Sequence, residues 1–339
     1  MNEDVRTKLR ASASGQNMRK RQSPKRKPLK KKEQVQEPTV EIKSVEYETQ
    51  AIEETANILF KPNPGPQTDF LAAGEREVLY GGSAGGGKSY AMLSDPLRYM
   101  GHPAFSGLLL RHTTEELREL VFKSQELYPK IWPGIKWSER KMQWTAPSGA
   151  RLWMSYLDRD DDVLRYQGLA FSWIGFDELT QWATPYAWNY MRSRLRSTAA
   201  DLPIYMRATT NPGGRGHHWV KKMFIDPAPY NRAYDATDIE TGEVLRYPAG
   251  HAKAGRPLYK RRFIPARLSD NPYLAESGDY EAMLLSMPEQ QRRQLLDGDW
   301  DIKEGAAFTE FDRNIHVVEP LDIPSNWVKF RACDYGYGS

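Results

Sequence analysis

The run Gly82-Ser-Ala-Gly-Gly-Gly-Lys-Ser89 decides how the rest of the chain is read. It fits G-x-x-x-x-G-K-[S/T] in full, and its neighbours give the pattern meaning. The apolar Val78-Leu79-Tyr80 precedes it as a short buried strand, and a helical stretch from Ser89 to Met100, shortened at Pro96, follows it. A flexible glycine linker would not sit between a strand and a helix. The residue types follow from phosphate chemistry. Gly82, Ser83, Ala84, Gly85, Gly86 and Gly87 are small enough for successive backbone N–H groups to wrap a β-phosphate. Lys88 is expected to bridge the β- and γ-phosphate oxygens of ATP, and the Ser89 hydroxyl to ligate Mg²⁺. The helix start adds its positive end to the same place.

Outward from this loop, strands alternate with helices. Gly107 to Arg111 reads as a second apolar strand and Thr114 to Tyr128 as a helix with an acidic first turn. Residues 143–145 and 151–156 flank Pro147-Ser148-Gly149 as a hairpin. Phe171 to Phe176 and Ile204 to Thr209 are further strands. This rhythm predicts a mainly parallel α/β sheet flanked by helices. Upstream, the proline-rich Phe60 to Gln67 is extended, and a helix capped by Thr68 or Asp69 runs to Ala73. After residue 226 turn formers dominate. Two helices follow, near 276–286 and 288–296, with Gly298 just past the second, and Trp327 to Asp334 alternates as a strand.

The strand Phe171-Ser-Trp-Ile-Gly-Phe176 ends in Asp177-Glu178. Phosphoryl transfer needs a carboxylate to support Mg²⁺ and a group to orient the attacking water. Asp177 fits the first role, through the metal's water shell, and Glu178 the second. An ordinary strand-to-helix cap by Asp177 is the simpler alternative, and it loses weight beside a full P-loop. Thr209-Thr210-Asn211-Pro212 ends another strand with small polar groups able to sense a γ-phosphate through a water; by local sequence alone it is an Asn-Pro turn.

Composition bounds the setting. Twelve Lys/Arg against two acids give residues 1–32 a charge of +10 within a chain total of +4, so the remainder carries −6. The basic arm has too few apolar residues to fold and suits either a nucleic-acid contact or a solubilising tail. No apolar run approaches bilayer length, and the N-terminus has no signal-like apolar core, so a membrane partner is not expected. Cys333 is the sole cysteine, which excludes internal disulfides and cysteine-based zinc clusters. His217-His218 lacks further ligands at metal-binding spacing and reads as part of a mobile loop, with Arg215, Lys221 and Lys222 available to phosphates. Lys260-Arg261-Arg262 and Arg292-Arg293 suit either a DNA backbone or a solvated face.

The ordered set GPQTDFLAA (65–73), GGSAGGGKS (81–89), LLLRHTTEEL (108–117), YQGLAFSWIGFDEL (166–179), TTNPGGRGHHWVKKMF (209–224), ARLSDNPYL (266–274), LLDGDW (295–300) and FRACDYGYG (330–338) resembles the large terminase subunit of tailed bacteriophages. The resemblance covers most of residues 60–339. It implies an ASCE-type P-loop ATPase that drives double-stranded DNA into a procapsid as a homo-oligomeric ring, typically a pentamer, on the portal protein. It further implies a small terminase subunit as partner, action in the host cytoplasm, and an RNase H-like nuclease that cuts concatemers. By this similarity Gln67 reads adenine, Thr209, Thr210 and Asn211 form the coupling motif, and Arg111 lies near the nucleotide. Relatives often carry an arginine inside the P-loop or just before the glycine preceding the acidic strand. Here Ser83, Ala84 and Gln167 stand there. Arg165 is then the nearest candidate for a finger reaching a neighbour's site, or else it pairs with Asp158, Asp160, Asp161 or Asp162. Asp334 fits the first nuclease metal ligand, but its partner carboxylates are absent from this sequence. The expected division is a disordered basic arm (1–37), the ATPase domain (38–255), a lid or linker region (256–325) and the first strand of a truncated nuclease (326–339). ATP turnover without DNA cleavage is therefore expected. Another P-loop translocase or helicase, or a non-catalytic ATP-binding assembly factor, are the competing readings.

Overall fold

The computed structural model describes residues 60–302 and Trp327. The basic arm, Asp334 and the expected nuclease strand lie outside the described residues.

Among the described residues nine strands form one sheet in the order β3-β4-β5-β2-β6-β7-β1-β9-β8. They are β1 Glu77–Gly82, β2 Ser106–Arg111, β3 Lys136–Ser138, β4 Gln143–Thr145, β5 Arg151–Tyr156, β6 Trp173–Asp177, β7 Tyr205–Thr210, β8 Ala233–Asp235 and β9 Lys260–Ala266. The six from β5 to β9 in sheet order are parallel. The strand pairings at either edge are antiparallel. Central strands of such a sheet are covered on both faces, which is why β1 and β7 are buried along their whole length. Leu79, Leu108, Phe176 and Met206 build one face of the core with Trp182, Trp188 and Phe224. Leu109, Leu152 and Trp173 build the other with Leu117, Leu120 and Tyr128.

The helices are α1 Pro66–Ala72, α2 Lys88–Ser94, α3 Thr114–Ile131, α4 Tyr186–Arg192, α5 His217–Val220, α6 Pro272–Ala275, α7 Asp279–Leu285 and α8 Glu289–Arg292. α1 starts earlier than expected. Gly65, with φ 85°, precedes it, and Pro66 takes the first turn, where a missing N–H does no harm, so neither Thr68 nor Asp69 caps it. Pro96 does end α2, which passes into a tighter turn at Asp95–Tyr99. α3 begins with a reciprocal cap between Thr113 and Glu116.

The largest departure from expectation is β9. It hydrogen-bonds to β1 from Glu77↔Arg261 to Gly82↔Ala266, so the sheet continues beyond residue 255. Of Lys260-Arg261-Arg262, the middle residue is consequently withdrawn from the surface. Arg261 is buried, its Nε donating to Glu77 Oε2 at 2.6 Å, while Arg192 Nε donates to Glu77 Oε1 at 2.5 Å. Burial alone raises the Glu77 pKa, but the two guanidiniums overcome that and hold it below the ordinary carboxylate range. Lys260 pairs with Asp235, and Arg262 with Glu75 and Asn231.

Candidate nucleotide site

The register of the sheet assembles the site. Asp177 is level with Thr209 and Thr209 with Tyr80, so the ends of β6, β7 and β1 stand side by side. At about 4.8 Å per strand, β6 and β1 are roughly 10 Å apart, with β7 between. Ligands of open α/β sheets bind beyond such carboxyl ends. Here they carry the glycine loop, the twin acids, the threonine pair and, from β2, Arg111.

The glycine loop is tightly held. At Gly82, φ is 137° and a Cβ would lie 2.3 Å from the Ala266 carbonyl oxygen, so only glycine fits. Tyr80 donates its hydroxyl hydrogen to the Gly86 carbonyl at 2.6 Å, and Asn271 Nδ2 donates to the Gly85 carbonyl at 2.7 Å. Ser83 N donates to Ala266 O (2.8 Å) and Ala84 N to Leu295 O (2.7 Å). Those two amides, expected to face phosphate, are thus engaged inside the protein. Among the described residues, the amides of Gly85, Gly86 and Gly87 have no such carbonyl. They are the donors free to wrap a phosphate. Lys88 is buried, and its Nζ donates to the Ser83 carbonyl at 2.6 Å. Burial pulls its pKa down, opposed by the nearby charges of Glu178 and Asp177. The lysine and the twin acids therefore share one electrostatic environment.

Asp177 is 1% exposed. Its Oδ1 accepts from the Thr209 hydroxyl. Arg111 Nε lies 3.1 Å from Oδ2, an ion pair too far out of line to be a hydrogen bond, and Oδ2 has no hydrogen-bond partner. Glu178 has φ 59° and ψ 57°, a left-handed backbone that costs a non-glycine residue about 1–2 kcal/mol. Its Oε2 accepts only long bonds, from Asn211 N at 3.4 Å and Thr210 Oγ1 at 3.5 Å. Burial, then the Asp177 charge, raises the Glu178 pKa; Lys88 and Arg111 oppose the rise without cancelling it. Thr210 is fixed by Thr180, whose hydroxyl oxygen is 2.7 Å from its own.

Among the described residues no cluster of three or more His, Cys, Asp or Glu forms a metal cage. Mg²⁺ does not ask for one: it takes one or two protein ligands and completes its octahedron with water and phosphate. The buried Asp177 Oδ2, which faces Arg111 but accepts no hydrogen bond, and the Ser89 hydroxyl at the start of α2 fit that requirement.

Gln67 lies against the loop, its Nε2 donating to the Gly87 carbonyl at 2.9 Å and its Oε1 accepting from Asn63 N at 2.6 Å. Arg165 is used locally: Nη2 donates to the Tyr156 carbonyl at 2.6 Å, and Asp162 lies 3.7 Å away. The loop after β7 packs closely rather than swinging free. Gly216 N donates to Thr180 O at 2.7 Å, and a Cβ on Gly216 would lie 2.1 Å from the Trp182 carbonyl oxygen. Lys221 is paired with Asp226 and Asp301. Asn271 and the Leu295 and Leu296 carbonyls, which bond the glycine loop from far along the chain, were not legible as site residues, nor were Thr180, which bonds Thr210, and Asn63, which bonds Gln67.

The family described as "Terminase large subunit, T4likevirus-type, N-terminal" matches residues 79–315. No protein of curated function matches the chain. Among solved structures, a large terminase from a thermophilic bacteriophage, in complex with ADP, is 17% identical with a TM-score of 0.51 over 78% of this chain and 60% of its own. The large terminase ATPase domain of Thermus phage P74-26 is 13% identical with a TM-score of 0.44 over 71% of this chain and 94% of its own. The chain thus spans about 60% of the length of the first of these relatives, whose likeness is one of fold.

Proposed function

The chain belongs to the large terminase subunit family, matching its N-terminal, T4likevirus-type part, and from that membership we propose that it is the ATPase motor subunit of a machine that packages double-stranded DNA. The observation that carries the reading is the sheet register that sets the end of β1, with the glycine loop and buried Lys88 that follow it, one intervening strand away from the end of β6 and its Asp177-Glu178. A triphosphate in the loop meets the Gly85–Gly87 amides and the positive start of α2. Lys88 follows the charge that develops on the γ-phosphoryl oxygens. Ser89 and Asp177 would hold Mg²⁺, which would supply neutralisation of the phosphate charge. Glu178 orients a water in line with the γ-phosphorus. As the water oxygen bonds to phosphorus and the bond to the β-phosphate oxygen breaks, the carboxylate accepts the water proton. Its raised pKa suits a base working near neutral pH. Thr210 and Asn211, bonded to Glu178, register loss of the γ-phosphate and pass it to β7.

In this reading Gln67 exchanges its internal bonds for the adenine edge, and Arg165 leaves Tyr156 and Asp162 to enter the site of the next subunit in a pentameric ring. The ring sits on the portal of a procapsid in the host cytoplasm, with a small terminase subunit bringing DNA. Residues 326–339 begin the nuclease, with Asp334 as its first metal ligand.

The test is ATP turnover with and without double-stranded DNA, in wild type and Glu178→Ala. Slow basal turnover, stimulation by DNA, and near-total loss in the variant with nucleotide still bound are expected. Unchanged turnover in Glu178→Ala removes the carboxylate from its role. Nucleotide binding without turnover under any condition favours the assembly-factor alternative.

A further inference from the structure

Two walls of the nucleotide site are joined outside it by one imidazole. The first wall is the end of β7. Thr210 and Asn211 hold Glu178, and the chain then turns through Gly213 and Gly214, both at positive φ, into His217. The second wall is the segment 293–300. Its Leu295 carbonyl accepts from Ala84 N and its Leu296 carbonyl accepts from the Ser83 hydroxyl at 2.6 Å. A Cβ on Gly298 would lie 2.7 Å from Ser83 N, so this segment lies directly on the phosphate loop. It is stiffened internally, with Asp299 N donating to Arg293 O and the Arg293 guanidinium paired with the Asp299 carboxylate.

His217 spans the gap. Gly213 N donates to His217 Nδ1 at 2.8 Å, which leaves that nitrogen without a proton and puts the hydrogen on Nε2. Nε2 lies 3.2 Å from the Trp300 carbonyl oxygen and donates to it. The imidazole also stacks on the Trp300 indole, with centroids 5.3 Å apart at 22°. That indole is 2% exposed and meets Phe263 of β9 edge-on. His217 follows Asn211, which bonds Glu178, by a few residues, and Trp300 follows Leu295 and Leu296, which bond the phosphate loop, by a few more.

We propose that His217 is a positioning residue, a staple between Gly213 and Trp300 that sets how far the phosphate loop stands from Glu178. The inference rests on the ATPase reading for its kinetic consequence but not for its structural one. A change in the β7 end, where the γ-phosphate is sensed, reaches the segment that grips Ser83 and Ala84 through this ring. The staple thus acts on the approach of water to the γ-phosphorus and leaves the grip on the nucleotide alone.

The experiment combines steady-state kinetics with amide hydrogen exchange on His217→Ala and His217→Gln. In His217→Ala, kcat is expected to fall about tenfold, as small displacements of reacting groups do, with KM for ATP held within about twofold. Exchange should quicken at Gly213 and also at Ala84, whose amide is held by the Leu295 carbonyl. In His217→Gln the side-chain amide still donates to the Trp300 carbonyl, so part of kcat and of the Ala84 protection should return. Faster exchange at Gly213 with Ala84 unchanged overturns the proposal, as does an unchanged kcat. A parallel loss of kcat and nucleotide affinity with a lowered Tm marks an ordinary packing role and overturns it too. Should wild type show no turnover at all, the ATPase reading fails, and the exchange arm alone decides the staple.

Discussion

Two glutamates at opposite ends of the sheet are buried to different ends. Glu77, at the start of β1, accepts a short charge-assisted bond on each oxygen, from Arg261 and Arg192, and is held ionised with a lowered pKa. Glu178, just past the end of β6, has a strained backbone, two bonds of 3.4 and 3.5 Å and a raised pKa. A saturated buried charge has no capacity left for chemistry; an under-bonded one keeps oxygen lone pairs and a proton equilibrium in reserve. Exposure and residue type alone would not separate the two. Their partners do.

Isosteric substitutions break or sharpen that contrast. Glu178→Gln should lower turnover by about 10²–10⁴-fold, the range of a lost general base, without lowering Tm, since it removes a charge the fold holds reluctantly. Glu77→Gln should do the reverse. It leaves two guanidiniums facing a neutral amide, and loss of one partner from a buried ion pair costs about 3–5 kcal/mol, read as a lower denaturant midpoint, with turnover per folded molecule little changed. Equal melting losses in the two variants would erase the distinction. A smaller effect is expected in the acid range. Turnover should fall as pH drops through the raised pKa of Glu178, above the ordinary carboxylate range. The stability contributed by Glu77, present above that range, is lost only as pH falls through its lowered value. Activity should therefore vanish while the protein is still folded, which circular dichroism and turnover measured on the same samples would show. Coincident midpoints would mean that unfolding, not protonation of Glu178, ends catalysis.

The local structure that carries the candidate site was largely legible, because the motifs that mark it are short and contiguous. The strand-loop-helix at 77–94 and the strand ending in Asp177-Glu178 stand as read. What failed did so for long-range reasons. β9 reads KRRFIPA, charged and broken by Pro265, and its basic start suits a DNA backbone or a solvated face until Glu77, 184 residues earlier, is known to neutralise Arg261. The loop glycines after Pro212 looked like a flexible tether, yet Gly214 and Gly216 are there because Thr180 and Trp182 leave no room for a Cβ. Arg165 could be named as a candidate from its neighbours, but its bond to the Tyr156 carbonyl depends on where β5 ends. Register and close packing are properties of pairs, and neither member states them alone.

The placement of β1 has a bearing on biosynthesis. Its hydrogen-bonding neighbours are β7 and β9, so the strand that carries the phosphate loop is matched only by residues made much later. A ribosome adding about 5–20 residues per second takes roughly 6–25 s to cross the stretch of about 120 residues from Gly82 to the start of β7, and longer to reach β9. For that interval the nascent chain holds an apolar ribbon with both backbone edges open, a template for association between growing copies. The slow and vulnerable phase of making this protein is therefore the wait for the partners of its most functional strand.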